Sequence, residues 1–214
     1  MHLTSSPLDW YVARAGGVVA YVLLTAAVLL GLTMTSRQRL AHWPHLAIEN
    51  VHRFTGLLVG TFVTIHIVTI AIDSYLPFSL ASLVVPFISS YRPAWVGLGI
   101  VAAELLIALA VTNRLRRRTI SYRAWRRAHY LNFAVWGGAT VHGLGSGTDR
   151  STPWLLAIEL VAIVSVLSLS GWRILRRRGV SRPTVLALPG LAGAAIAVIA
   201  LGLVLGPLRF RPKP

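Results

Sequence analysis

Long apolar runs separated by short, arginine-rich polar stretches set the pattern of this chain. A helix needs about 20 apolar residues to cross a hydrocarbon core about 30 Å thick. Six runs approach or exceed that length, at 11–34, 51–72, 94–111, 128–144, 152–172 and 185–205. The pattern predicts an all-α, polytopic membrane protein, a six-transmembrane-helix bundle forming a single domain over residues 1–214. The run at 128–144 is the shortest and least apolar, which predicts a helix enclosed by its neighbours. Between the second and third runs lies YLPFSLASLVVPFISSYRP. Its prolines and serines predict a short helix or ordered loop at the membrane surface rather than a further span. The opening MHLTSSPLDWY lacks the positive region of a signal peptide, so the first run is read as a retained helix.

Composition agrees with the pattern. Hydrophobic residues make up 55% and charged residues only 13% of the chain, where a soluble domain carries about 25% charged. Mean hydropathy is +0.67. A net charge of +15 would suggest nucleic acid in a soluble protein. Here the arginines lie in the loops instead, so nucleic-acid binding is excluded. Arg37 and Arg39 occupy the first loop; the third holds Arg114, Arg116, Arg117, Arg118, Arg123, Arg126 and Arg127; the fifth holds Arg173, Arg176, Arg177, Arg178 and Arg182. The second and fourth loops carry one each, Arg92 and Arg150. The positive-inside rule then places the odd loops in the cytoplasm and both termini outside, in a multi-pass cell (plasma) membrane protein. The tail RFRPKP opposes this but is outnumbered. The chain has no cysteine, which removes disulfides, iron–sulfur clusters and covalently attached haem. Walker A and G-x-G-x-x-G loops are also missing, and there is no strong internal repeat.

Candidate chemistry concentrates in two stretches. HRFTGLLVGTFVTIH runs from His52 to His66, and HYLNFAVWGGATVH from His129 to His142. Fourteen residues of helix rise about 21 Å and return to within about 40° of whole turns, so His52 and His66 share a face. The thirteen residues from His129 to His142 rise about 19.5 Å but fall short of four turns by about 140°. Either the ligand-bearing faces of that helix differ, or the helix is irregular. Gly137 and Gly138 between them would allow close approach or a kink. In the derived orientation His52 lies level with His129, and His66 with His142. Each pair can give two axial nitrogens to one haem iron, which predicts two stacked b haems. Bis-histidine ligation leaves no open iron position and favours electron transfer. Burial favours the neutral imidazole that ligation needs. A lone intramembrane histidine is more often a packing residue, and two on one helix can form a proton relay. Four in two matched pairs favour haem.

Other residues carry weaker signals. Arg14 at the outer end of the first span reads as an arginine snorkelling to the interface, with five donors that suit a carboxylate. Arg53, Arg126 and Arg127 adjoin His52 and His129, as inner propionate partners, an acidic docking face, or plain positive-inside anchors. Arg92 and Arg150 are weaker outer candidates. Glu104 and Glu159 fall within spans, where a carboxylate pairs with arginine, binds protons or faces the bundle interior. Asp73 and Asp149 lie at the outer ends of the histidine runs. His42 and His45 read as interfacial, with a quinol or donor-docking role as the alternative, and His2 is terminal. Trp10, Trp43, Trp95, Trp125, Trp154 and Trp172 fall near span ends as an aromatic belt. Trp136 lies between the two histidines of its run, as packing or as an aromatic between haems.

These stretches resemble the ferric reductase-like transmembrane family, the membrane haem domain of ferric reductases and NADPH oxidases. The paired histidines, fourteen and thirteen apart, match its haem-binding pattern. VARAGGVVAYVLL resembles the helix before the first ligand helix, and WRRAHYLNF and VHGLGSGTD resemble the second ligand segment. The resemblance spans roughly residues 11–172. It implies that His52, His66, His129 and His142 ligate haem, and that Arg14, in its A-R-A context, sits near the outer haem at a propionate or the reduction site. Members with a complete reductase continue into flavin and NAD(P)H domains. Here residues 173–214 form a basic loop and a sixth apolar helix instead. The resemblance is therefore to the stand-alone haem subunits, with electrons arriving from a separate flavoprotein or from quinol. The expected function is a b-type cytochrome, an oxidoreductase membrane subunit passing electrons outwards to ferric iron, oxygen, quinone or a periplasmic redox partner. A different class of reading is a haem-free transporter or assembly factor that uses the histidines as a proton or metal pathway.

Overall fold

The computed structural model describes residues 7–35, 44–73, 78–116, 119–147 and 151–177. All regular structure among them is helical: α1 (Pro7–Thr35), α2 (His45–Ile72), α3 (Leu80–Val84), α4 (Pro93–Leu115), α5 (Tyr122–His129), α6 (Asn132–Ser146) and α7 (Pro153–Arg177). Four stretches are long and apolar enough to cross a membrane, Leu8–Met34, Leu46–Ile72, Pro93–Leu115 and Pro153–Leu175. The shorter of these, at 23 residues, reach about 34 Å, more than a hydrocarbon core about 30 Å thick. The protein is a polytopic helical membrane protein. The sixth run expected from the sequence, at 185–205, lies outside the described residues.

The helices turn large apolar side chains outwards. Leu57, Ile107 and Val161 are mostly exposed, while Thr55, Thr140 and Glu159 are buried. That arrangement suits lipid rather than water. Hydroxyls inside spans bond to the carbonyl one turn back, as Thr55 Oγ1 does to Val51 O at 2.8 Å and Thr64 Oγ1 to Gly60 O at 2.8 Å. A helix can therefore carry threonine through hydrocarbon without an unsatisfied donor.

The chain falls into two compact units. The first comprises residues 1–28 and 50–147, hence the start of α1, most of α2 and all of α3 to α6. In it α4 and α6 pack closely because Gly138 presents no side chain. A Cβ there would stand only 3.3 Å from Leu98 O and from the Ala102 methyl. The segment before α4 is a five-residue helix and an ordered loop, as its prolines and serines predicted. Ser79 caps α3, its hydroxyl accepting from Ser82 N at 3.1 Å. Arg92 sits in the left-handed region (φ 43°) just before Pro93 opens α4. The second unit comprises residues 29–49 and 148–214. Within it Leu155, Glu159, Ala162 and Val166 form one buried stripe of α7 at helical spacing.

The expectation of one continuous helix over 128–144 is corrected. α5 ends at His129, Tyr130 and Leu131 form a turn, and α6 begins at Asn132. The joint is wound as 3₁₀: Tyr130 N bonds to Arg127 O, Leu131 N to Ala128 O and Phe133 N to Tyr130 O, each three residues back. Each residue wound at three per turn instead of 3.6 adds about 20°. The joint thereby recovers part of the roughly 140° by which an ideal helix would leave His129 and His142 out of phase.

Candidate metal centre

The four histidines named by the sequence come together as two pairs, all within the first unit. The rings of His52 and His129 lie with centroids 6.2 Å apart and planes crossed at 73°. Those of His66 and His142 lie 6.3 Å apart and crossed at 80°. A metal about 2.0 Å from each of two imidazole nitrogens, each about 1.15 Å from its ring centre, separates the ring centres by about 6.3 Å. Rings packed for their own sake have no reason to repeat that spacing twice.

The His66–His142 pair is held from behind by backbone. His66 Nδ1 lies 2.7 Å from Ala13 O on α1, and His142 Nδ1 lies 3.0 Å from Trp95 O on α4. A carbonyl can only accept, so both Nδ1 atoms carry the proton and both Nε2 atoms keep a lone pair. That tautomer is the metal-ligating one, oriented by its other nitrogen. The Ser146 hydroxyl donates to His142 O at 2.6 Å and so closes the last turn of α6.

In the His52–His129 pair, His129 is held by side chains. Trp125 stacks on His129 at 5.0 Å with planes 27° apart. Its indole N–H donates to Asn113 Oδ1 at 2.7 Å, and the Arg116 guanidinium lies 4.3 Å from its ring centre on an exposed side chain. Asn132 donates to His129 O at 2.8 Å across the 3₁₀ joint. Around the pairs the backbone leaves room: a Cβ on Gly56, Gly60 or Gly137 would meet nothing within 4 Å. Of the two adjacent glycines, Gly138 serves the α4 approach.

The remaining candidates divide. Arg14 follows Ala13, so it lies level with the His66 ring, half-buried with its guanidinium 5.8 Å from the Trp10 ring centre. Arg53 and Arg127 are exposed beside the first pair in sequence, as is Arg126. Arg92 Nη1 donates to Gly145 O at 2.5 Å, and the Tyr91 hydroxyl donates to Ser146 O at 3.0 Å. Both satisfy carbonyls that the end of α6 would otherwise leave open. Glu104 is exposed, whereas Glu159 and Asp73 are buried. Trp136 is buried within a closed ring of hydrogen bonds. Its indole donates to Thr25 Oγ1 (3.1 Å), Thr25 to Tyr21 O (2.9 Å) and Thr140 to Trp136 O (2.8 Å), while Tyr21 Oη lies 3.0 Å from Thr140 Oγ1. His2, His42, Arg150, Asp149 and the His45 side chain lie outside the described residues. Sequence reasoning passed over Ala13, Gly17, Trp95, Gly99 and the placement of Trp125. Backbone carbonyls are silent in a sequence, and the glycine pair of R-A-G-G was the one legible hint.

A family model described as ferric reductase like transmembrane component matches residues 16–140, more than half of the chain. No curated protein and no solved structure matches.

Proposed function

The chain belongs to the ferric reductase-like transmembrane family, and we propose that within it the protein is a b-type cytochrome subunit carrying single electrons across the cell membrane. His52 and His129 hold an inner haem, and His66 and His142 an outer one. The observation that carries the reading is the repeated ring spacing of 6.2 and 6.3 Å. When bound between these histidines, haem would supply one-electron redox chemistry.

The chain's own residues do the rest. The carbonyls of Ala13 and Trp95 fix the protons of His66 and His142 on Nδ1, presenting Nε2 as donors. The apolar outer faces of α1, α2 and α4 keep water from the path, strengthening electrostatics inside. Arg14, level with His66, suits an outer carboxylate such as a propionate. Arg53 and Arg127 serve the same end near the inner pair, or hold an acidic partner. The arginine-rich loops place the inner pair on the cytoplasmic side. Electrons enter there from a separate flavoprotein or quinol and leave to ferric iron, oxygen, quinone or a periplasmic redox protein.

The test is a dithionite-reduced minus oxidised spectrum of the purified protein with haem quantified per chain. Two haems b per chain are expected. A colourless protein defeats the reading and favours a haem-free proton or metal pathway; one haem defeats the two-centre assignment. The inner ligand gives a finer prediction. Trp125→Leu removes an aromatic stack worth about 1 kcal/mol, so the inner haem should pass to a haem-scavenging protein about fivefold more readily. The outer haem should not change.

A further inference from the structure

Two different helices present the same device to the His66–His142 pair. On α1 the carbonyl of Ala13 takes the His66 Nδ1 proton, and four residues on stands Gly17. A Cβ there would lie 3.0 Å from both Nδ1 and Cε1 of that ring. On α4 the carbonyl of Trp95 takes the His142 Nδ1 proton, and four residues on stands Gly99. A Cβ there would overlap the His142 ring, Nδ1 included. The spacing has a physical cause. In a helix the Cα–Cβ bond tilts towards the N-terminus, so the side chain at i+4 overhangs the carbonyl of i. A ring that reaches sideways for that carbonyl needs the overhang removed, and glycine removes it. The carbonyl still takes its own helical N–H, since it has two lone pairs. Behind His129 stand Trp125 and Asn132 instead.

We propose that Ala13 with Gly17, and Trp95 with Gly99, are matched positioning elements that fix the tautomer and the 80° crossing of the His66 and His142 rings. The outer centre is therefore sensitive to a single methyl group at either glycine. This rests on the haem reading given above.

The experiment compares Gly17→Ala and Gly99→Ala with Gly16→Ala in the purified full chain. A Cβ on Gly16 would meet only ordinary contacts at 3.5–3.6 Å. Readouts are haem per chain and the low-spin EPR spectrum of the oxidised protein, which reports the angle between axial imidazole planes. Gly17→Ala should keep both haems and shift one of the two EPR signals. Gly99→Ala, the harder overlap, should lose the outer haem or hold it about 10–100-fold more weakly, the usual cost of an outer-shell change. The inner signal and the control variant should match the parent. Should Gly99→Ala fail to fold, Gly17→Ala decides alone. Unchanged spectra in Gly17→Ala overturn the proposal, as do two signals moving together or an equal shift in the Gly16→Ala control. A parent protein without haem would instead fail the functional reading, so the two failures are separable.

Discussion

His142→Leu is expected to purify with one haem per chain instead of two, the inner spectrum intact and electron delivery to an outer-side acceptor abolished. His142 is one of the two imidazoles whose ring centres lie 6.3 Å apart at this level. Leucine fills a similar volume, is at home among apolar neighbours and leaves Trp95 O with its helical partner, so folding should survive. His66 then faces the outer site alone. The inner pair lies about 20 Å away along the helices, so the two sites should respond independently. Haem quantification by pyridine haemochrome, with EPR to identify the surviving signal, checks this. Retention of both haems with unaltered ligation would refute the assignment of His142. Loss of both would show that the sites do not form independently.

Much of this architecture was legible in the sequence, because in lipid the dominant constraints are one-dimensional. A span must be apolar over its whole length and bond its own backbone, so α1, α2, α4 and α7 can be read almost directly from hydropathy. The histidines were legible because imidazole is rare at such depth, and because the spacing between His52 and His66 returns nearly to phase. Two kinds of feature were not. The break at Tyr130–Leu131 carries no proline or glycine, and the nearby Gly137–Gly138 pair pointed to the wrong place for an irregularity. What breaks the helix is a local switch of hydrogen bonds from four residues back to three, for which Tyr130 and Leu131 offer no sequence signature. The supports behind the rings were equally hidden. Ala13 and Trp95 act through their carbonyls, which every residue possesses, and only tertiary placement selects them. The bond from Arg92 to Gly145 O was hidden in the same way, since it too ends on a carbonyl.

Inserting one alanine between Tyr130 and Leu131 should remove the inner haem and spare the outer, the mirror image of His142→Leu. α6 is locked to α4 through Gly138, with Leu98 O and the Ala102 methyl close by, and through the bond from His142 to Trp95 O. α5 has no buried residue, so it is the part free to yield. An added residue turns α5 by about 100° and displaces it about 1.5 Å relative to α6, swinging His129 away from His52. The crossed arrangement at 6.2 Å cannot persist through such a rotation, whereas nothing at the His66–His142 level is disturbed. Haem per chain should fall from two to one, and the surviving EPR signal should be the one that His142→Leu removes. If the insertion leaves both signals in place, the joint absorbs a residue without changing phase, and the winding of Tyr130 and Leu131 is not what aligns the two ligands.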